Sequence, residues 1–245
     1  MNISKDLILI DKPSGWTSFD CVAKIRGRLK TQNVQLPPIS RELGNSQELV
    51  PNSPRLRVGH AGTLDPFATG LLLILVGAET KNQANYMKQD KEYQATLCFG
   101  KTSTTGDPEG EISKNINAKE IEKSDIEAVL KNFIGLIEQT PPQHSAIKIN
   151  GQRAYKLARK GELVEIKPRK IKIYNIKVIK YVWPELVVDV LCSSGTYVRT
   201  LAEDIGKELG CGAYLTALRR TKIGDFNIQQ AQTMDSIIAD TQGNH

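Results

Sequence analysis

The chain has 245 residues, of which 40% are hydrophobic and 24% charged, and its net charge at pH 7 is +6. That length can bury a sizeable core in one large domain or two small ones. No apolar run approaches the roughly 20 residues that span a membrane, and the N-terminus lacks the features of a signal peptide, so we expect a cytoplasmic protein. The four cysteines and three histidines are scattered without ligand spacing, which favours reduced thiols and no metal site.

The first half of the chain alternates short strands and helices. Residues 7–10 form an apolar strand, and Ser18 is placed to cap a helix that runs toward Leu29. The uncharged run at 70–76 has no polar alternation, which predicts a strand buried on both faces. We expect a helix over 78–87 and a strand over 93–99.

The second half adds a hairpin and further helices. Ser124 and Glu127 have the spacing of a capping box, which predicts a helix that ends near Gly135. The other predicted elements are a helix at 152–160, strands at 171–181 and 186–192 that pair across the Trp183-Pro184 turn, and an amphipathic helix at 196–209. Together these elements predict an α+β domain with a mixed, largely antiparallel sheet flanked by helices.

One aspartate, Asp65, lies on a glycine-punctuated loop immediately before the buried strand at 70–76. A charge on a tight loop beside a rigid strand is a typical way to present a reactive group. The structural alternative is a helix cap, because an aspartate followed by proline also fits the start of a short helix. Local chemistry alone favours the cap.

Positive charge is concentrated in one segment. Residues 148–180 contain eleven Lys or Arg and two Glu. The predicted helix in this segment surrounds Tyr155 with Arg153, Lys156, Arg159 and Lys160, and basic residues around an aromatic ring suit a phosphate backbone and an exposed base. A solvated lysine-rich face is the alternative.

Residues 33–54 hold four of the eleven prolines and show no sustained period, which indicates a long loop. A tolerated surface insertion is the simpler interpretation of this loop, and an RNA or partner contact is the other.

Six segments resemble, in the right order, the motifs of the TruB-type pseudouridine synthases. They are DKPSGWTSFDCVAKIR (11–26), GHAGTLDPFATGLLLILVG (59–77), KEYQA (91–95), PQHSAIKINGQRAYKLARKG (142–161), SSGTYVRTL (193–201) and LGCGAYLTALRR (209–220). The resemblance implies the pseudouridine-synthase fold and isomerisation of uridine to pseudouridine in the T-loop of tRNA (position 55). That reaction moves the bond to ribose from N1 of uracil to C5 without oxidation or hydrolysis, so no cofactor or metal is expected.

The resemblance also assigns the catalytic residues. Asp65 is the expected nucleophile, although the sequence leaves open whether it attacks the sugar, attacks the base or removes a ribose proton. Arg199 is expected to pair with Asp65 and keep it ionised. The alternative for Arg199 is a helical i,i+4 pair with Glu203.

Further residues are expected to contact the substrate. By the resemblance, Tyr93 stacks on the target base and its hydroxyl could serve proton transfer, Tyr197 lines the same pocket, and Leu218 forms an apolar wall. His60 is expected to fill the space that the flipped uridine leaves. The alternatives are two half-buried tyrosines and a hydrogen-bonded loop histidine.

The expected organisation is a catalytic domain over residues 1–230, with an RNA-clamping segment at 135–170, and a short tail at 231–245 in place of the RNA-binding PUA domain of many relatives. The expected partner is the T-arm stem-loop of tRNA, with no membrane, guide RNA or obligate protein partner. Two alternatives remain, namely pseudouridylation of another RNA loop and an RNA-binding or RNA-folding module with little turnover.

Overall fold

The computed structural model describes residues 6–31, 56–143, 145, 148–149, 152–154, 157 and 164–239. The α-helices that have both ends within these residues are α1 (Ser18–Thr31), α2 (Gln83–Lys88), α3 (Lys123–Asn132), α4 (Val198–Glu208) and α5 (Met234–Ala239). The strands are β1 (Leu7–Lys12), β2 (Val58–Ala61), β3 (Thr69–Val76), β4 (Lys91–Phe99), β5 (Lys101–Ser103), β6 (Ile112–Lys114), β7 (Gly135–Gln139), β8 (Lys148–Ile149), β9 (Gln152–Arg153), β10 (Arg169–Val182), β11 (Glu185–Cys192), β12 (Ala213–Ile223), β13 (Phe226–Asn227) and β14 (Gln232–Thr233). None of these helices is both long enough and apolar enough to cross a membrane.

Most strands join one large sheet in the order β14-β1-β3-β12-β4-β11-β10-β7, with β2 on β3 and β13 on β12. Two of the described pairings are parallel, β1 with β14 and β3 with β12. The other described pairings in this sheet are antiparallel. The prediction of an α+β fold with a mixed, largely antiparallel sheet is therefore confirmed.

Strand β3 forms the centre of the core, as its unbroken apolar sequence predicts. Leu72, Ile74 and Val76 pack on one face of the sheet in a cluster that includes α1 and α5. The intervening side chains of β3 pack on the opposite face. Each fully buried aliphatic side chain contributes about 1.5 to 3 kcal/mol, so β3 is a rigid base for the loop that precedes it.

A second core lies between the sheet and helices α3 and α4. Leu201 and Ile205 of α4 and Ile126 of α3 pack against buried side chains of β4, β10 and β11. The β10–β11 hairpin is confirmed, since Tyr181 pairs with Leu186 and the turn contains Trp183 and Pro184. This packing fixes the position of α4 relative to β4.

Three local predictions need correction. Helix α3 begins at Lys123 with Glu122 as its N-cap and no side-chain cap hydrogen bond. The predicted capping box at Ser124 is therefore wrong. Burial of Ile126 and Leu130 sets where the helix starts. The segment predicted as a helix over 78–87 is a 3-10 helix followed by the short α2.

The third correction concerns the start of the predicted helix at 152–160. Gln152 and Arg153 form β9, which pairs with β8, whereas Ala154 and Leu157 are helical, so the helix begins after the hairpin. The Asn-Gly pair that precedes Gln152 in the sequence is the strongest short signal for a tight hairpin. Residues 155, 156 and 158–163 lie outside the described residues, as does the predicted loop at 33–54.

Gly206 is where α4 meets the start of β12. A Cβ at Gly206 would lie 2.2 Å from the backbone nitrogen of Ala213. We therefore expect Gly206→Ala to lower the free energy of unfolding by about 1 to 3 kcal/mol, measured by urea unfolding.

The matched control is Gly27→Ala in α1, where a Cβ would meet no atom within 4 Å. There the better helix propensity of alanine should raise stability by roughly 0.5 to 1 kcal/mol. Equal stability of the two variants would show that the contact between α4 and β12 leaves room for a larger residue at position 206.

Candidate active site

Asp65 lies on the loop between β2 and β3, and the start of α1 holds this loop in place. The Ser18 hydroxyl accepts a hydrogen bond from the Leu64 amide at 3.0 Å and lies 3.2 Å from the Leu64 carbonyl oxygen, to which it donates. The Ala68 amide donates to the Asp65 carbonyl at 3.1 Å, and β3 follows directly as a strand. The helix-cap interpretation of Asp65 is therefore wrong, because no helix begins there.

The segment before α1 adds further restraints to the same loop. The Lys12 ammonium, which is completely buried, donates to the carbonyl oxygens of Pro13, Trp16 and Pro66 at 2.8, 2.6 and 3.2 Å. The Gly15 amide also donates to Pro66, at 2.8 Å. These bonds tie the backbone just beyond Asp65 to the first strand.

Arg199 joins two carboxylates from distant parts of the chain. Its Nε lies 3.0 Å from Asp65 Oδ2, and its Nη1 lies 2.9 Å from Asp107 Oδ2. The side chains of Arg199 and Asp107 are 5% and 2% exposed, whereas that of Asp65 is 35% exposed. The predicted Asp65–Arg199 pair thus exists, with a buried carboxylate on its far side and an open edge on Asp65.

Sequence reasoning missed Asp107. The carboxylate also accepts hydrogen bonds from the Thr105 hydroxyl at 2.6 Å and the Glu109 amide at 3.0 Å. In the sequence these features look like an ordinary polar turn, TTGDPEG. A signal was available, because the burial of Arg199 requires a second carboxylate, and an aspartate in a polar turn is a candidate for that partner.

Arg199 lies in the first turn of α4, where a cation opposes the helix dipole. The helix begins at Val198 with Tyr197 as N-cap. Gln139 of β7 fixes that end, because its amide group accepts from the Tyr197 amide at 2.8 Å and donates to the Tyr197 carbonyl at 3.0 Å. The two carboxylate partners of Arg199 offset its unfavourable interaction with the helix dipole.

Asp65 opens onto a cavity of about 230 Å³. Five of the residues predicted from sequence line this cavity, namely Asp65, Tyr93, Tyr197, Arg199 and Leu218. Three cations that sequence reasoning did not assign also line it, namely Lys91, Arg169 and Arg220. A larger cavity of about 540 Å³ lies beside Arg26 and Arg57, but none of the described residues that line it is a carboxylate.

The register of β4 and β12 explains why one wall of the cavity combines an aromatic, an apolar and two basic residues. Tyr93 pairs with Arg220, and Ala95 pairs with Leu218. Lys91 lies two residues before Tyr93 and therefore shares its face of the sheet. All of these side chains therefore project toward Asp65.

Gly70 brings β12 close to the Asp65 loop. Its φ is +104°, and a Cβ there would lie 2.3 Å from the Arg220 carbonyl oxygen. Only glycine tolerates this conformation and this close approach. The short parallel contact between β3 and β12 thus sets the distance between Asp65 and Arg220.

Burial raises the pKa of the Asp65 carboxyl above its ordinary value, and the nearby Asp107 adds to that rise. Arg199 is the strongest opposing influence, followed by Lys12 and Arg220. Burial also raises the pKa of the Tyr93 hydroxyl and lowers that of the Lys12 ammonium. The site therefore combines an ionisable carboxyl that is costly to charge with several cations that favour its charged form.

Within the described part of the chain, no other predicted site residue lines this cavity. His60 is 8% exposed on β2, and its ring meets that of Phe19 edge-on at 5.3 Å; it is not among the residues that line the cavity. Arg153 belongs to β9, and nothing is described of its side chain. Lys156, Arg159 and Lys160 lie outside the described residues. Within the part of the chain that is described, no group of three or more His, Cys, Asp or Glu could hold a metal.

Two family models match the chain. Residues 51–198 match the N-terminal domain of the TruB family of pseudouridylate synthases, and residues 199–243 match the C-terminal domain of tRNA pseudouridylate synthase B. The boundary between the two matches falls at Arg199, so the ion pair joins one matched region to the other.

Similar proteins agree with this match. A protein named tRNA pseudouridine synthase B from Thermobifida fusca is 39% identical over 96% of this chain and 74% of its own length. One of the same name from Parabacteroides distasonis is 41% identical over 96% of this chain and 92% of its own.

Among solved structures, a chain of a Cbf5-Nop10-Gar1 complex is 26% identical, with a TM-score of 0.69 over 98% of this chain. The present chain spans 57% of that chain's length. A chain of an H/ACA RNP bound to a substrate RNA is 24% identical with a TM-score of 0.66, which shows a shared fold. On the family match and these relatives, the chain belongs to the TruB family of pseudouridylate synthases and is an isomerase.

Proposed function

We propose that this enzyme converts uridine to pseudouridine in the T-loop of tRNA, at position 55, without a cofactor and with Asp65 as the reacting carboxylate. The observation that carries the proposal is the Asp65 carboxylate, which is held by Arg199 at 3.0 Å and faces a cavity of base size. The names of the bacterial relatives, which are 39% and 41% identical, support tRNA as the substrate and a stand-alone enzyme.

The chemistry needs a carboxylate with a fixed position and a water-poor surrounding. Isomerisation breaks the bond between ribose C1′ and uracil N1, and then joins C5 to the same ribose carbon. A carboxylate beside the ribose can act as nucleophile, stabilise a cationic sugar or remove a ribose proton. Asp65 suits each of these roles, because Arg199 orients its carboxylate while the side chain stays 35% exposed and lines the cavity.

Two neighbours suit the base. Tyr93 is 9% exposed and lies on the cavity wall two strands away from the Asp65 loop. A flat aromatic side chain holds an extruded base by stacking. Leu218 lies on the same wall at 7% exposure and would exclude water from the sugar.

The direct test uses a T-arm stem-loop with tritium at C5 of the T-loop uridine. Because isomerisation replaces hydrogen by ribose at C5, each turnover should release one tritium into water. We expect release from this stem-loop and none when cytidine replaces the target uridine. Release only from a different RNA would favour pseudouridylation of another loop, and tight binding without any release would favour an RNA-binding module.

Asp65→Asn should lower the rate of tritium release by on the order of 10⁴-fold, because the amide keeps the shape of the carboxylate but lacks its charge. RNA affinity, measured by filter binding, should stay close to that of the wild type. The matched control is Asp189→Asn on β11, whose carboxylate bonds only to Gln94 on the sheet surface among the described contacts. A near wild-type rate for Asp65→Asn would remove Asp65 from the mechanism.

The same variant tests the electrostatic cost of the site. Because burial raises the pKa of Asp65 in the folded state, stability is lost as the pH rises through the interval between the unfolded and folded pKa values. Asp65→Asn should therefore unfold at the same or a higher urea concentration than the wild type at pH 7. The difference should shrink as the pH falls toward the ordinary carboxyl pKa.

Arg199→Lys should lower turnover by on the order of 10²-fold with little change in RNA affinity. Lysine keeps the charge but lacks the planar fork that contacts Asp65 and Asp107 together. Arg219→Lys is the control, because Arg219 makes a two-point ion pair with Asp11 at 2.6 and 3.0 Å outside the cavity. A loss that appears mainly as weaker binding would place Arg199 in the RNA-binding surface instead.

A further inference from the structure

Two buried cations on the cavity wall bond mainly to neutral oxygens. Arg220 is 1% exposed, and its guanidinium donates to the carbonyl oxygens of Leu71 at 2.8 Å and Gly62 at 2.9 Å. Lys91 is 6% exposed, and its ammonium donates to the carbonyl oxygens of Met87, at 2.6 Å, and Gln89. Within the described part of the chain, neither cation has a carboxylate at ion-pair distance.

Asp65, the carboxylate that lines the cavity, does not neutralise Lys91 or Arg220. Asp65 is already engaged by Arg199 at 3.0 Å, and Asp107 on the far side of Arg199 is fully buried. A buried charge costs several kcal/mol unless it is paired. Two buried cations on the cavity wall that lack a carboxylate partner among the described residues therefore lower the stability of the protein. A negative charge that offsets this cost would bind in the cavity beside them.

The two cations face the place that the base would occupy. Arg220 lies directly across from Tyr93 in the β4–β12 register, and Lys91 shares the face of Tyr93. The proposed function puts the uracil ring against Tyr93 and the ribose against Asp65. The cations therefore lie at the base end of the cavity, and Arg199 lies at the sugar end.

The reaction generates a negative charge at that end. When the C1′–N1 bond breaks, its electron pair remains on N1 and spreads through the ring to O2 and O4. When C5 then bonds to C1′, a proton leaves C5 and N1 gains one, so the base is neutral again. The base is anionic only in the interval between these two bonds.

We propose that Lys91 and Arg220 stabilise the negative charge that the uracil ring carries while it is detached from the ribose. The proposal rests on the proposed function and extends it from the sugar to the leaving group. Fixed cations in a water-poor site act strongly on a charge that develops in the transition state, since they need no reorganisation. The uracil ring of the bound substrate is neutral and gains little from them, so their effect should appear in the rate and not in binding.

The ionisation of Lys91 makes the idea testable by pH. The pKa of Lys91 is lowered to about 8, first by burial and then by Arg220 on β12, while Cys192 on β11 and Asp90 oppose the fall. The pKa of Cys192 is itself raised to about 11 by burial, so that thiol stays neutral in the relevant range. Lys91 should therefore lose its charge near pH 8 in the free enzyme.

The main experiment compares Lys91→Met with the wild type on the tritiated T-arm stem-loop, under single-turnover conditions between pH 6 and about pH 9.5. We expect Lys91→Met to lower the rate constant on the order of 10- to 100-fold at pH 7, with the dissociation constant changed less than about threefold. The wild-type kcat/KM should fall above about pH 8, and Lys91→Arg should move that fall to higher pH because arginine does not titrate there.

Lys222→Met is the matched control. Lys222 lies on β12 opposite Glu92, on the other face of the sheet, so this variant removes the same charge without touching the cavity. Its rate constant should stay within about twofold of the wild type. Lys91→Met should also unfold at the same or a higher temperature at pH 7, because a buried ammonium with a lowered pKa costs stability wherever it is charged.

The outcomes separate the two proposals. A wild type that releases no tritium from the stem-loop refutes the proposed function. An active wild type with an unchanged rate constant in Lys91→Met, or with kcat/KM constant to pH 9.5, refutes the role of Lys91. If Lys91→Met does not fold, the wild-type pH profile and Lys91→Arg decide the question.

Discussion

The guanidinium of Arg199 is the interaction on which the rest of the site depends. It lies in the core at 5% exposure and joins Asp65, on the loop before β3, to Asp107, in the turn after β5. A buried cation needs partners, and removal of one partner from such a group commonly costs 3 to 5 kcal/mol. The fold therefore has to bring two loops and the first turn of α4 to one point. The sheet does this because β3, β4 and β12 are neighbours within it.

The rigidity of the Asp65 loop comes from hydrogen bonds to its backbone and not from the charged pair alone. Ser18 and Lys12 fix the loop on both sides of Asp65, and β3 anchors its end in the core. The N-terminal segment DKPSGWTS therefore supports the site although none of its residues lines the cavity. It holds the position of the carboxylate, and catalysis loses rate steeply when a reacting group is misplaced by about 1 Å.

The parts of this structure that the sequence predicts are those with a local or periodic cause. The unbroken apolar run of β3 and the Trp183-Pro184 turn between two strands were enough to place the buried strand and the hairpin. Local chemistry misassigned Asp65 as a helix cap, because an Asp-Pro pair looks the same in both settings and tertiary packing decides between them. The pairing of Arg199 with Asp107 spans 92 residues, and no local pattern signals it. Lys91 and Arg220 likewise look like ordinary strand residues until the register of β4 and β12 shows that they share a wall.

Under the proposed function, the arrangement of charge along the cavity matches the two ends of a nucleoside. At the proposed sugar end, Arg199 favours the charged form of a carboxylate that is costly to ionise and fixes its direction. At the base end, Lys91 and Arg220 remain without a carboxylate at ion-pair distance among the described residues. Neither arrangement favours stability, since each keeps charge in a place where apolar side chains would stabilise the fold. The buried cations of this wall lower the stability of the free enzyme. A negative charge that forms beside them offsets that cost. In the proposed reaction, that condition is met during the step in which the base is free of the sugar.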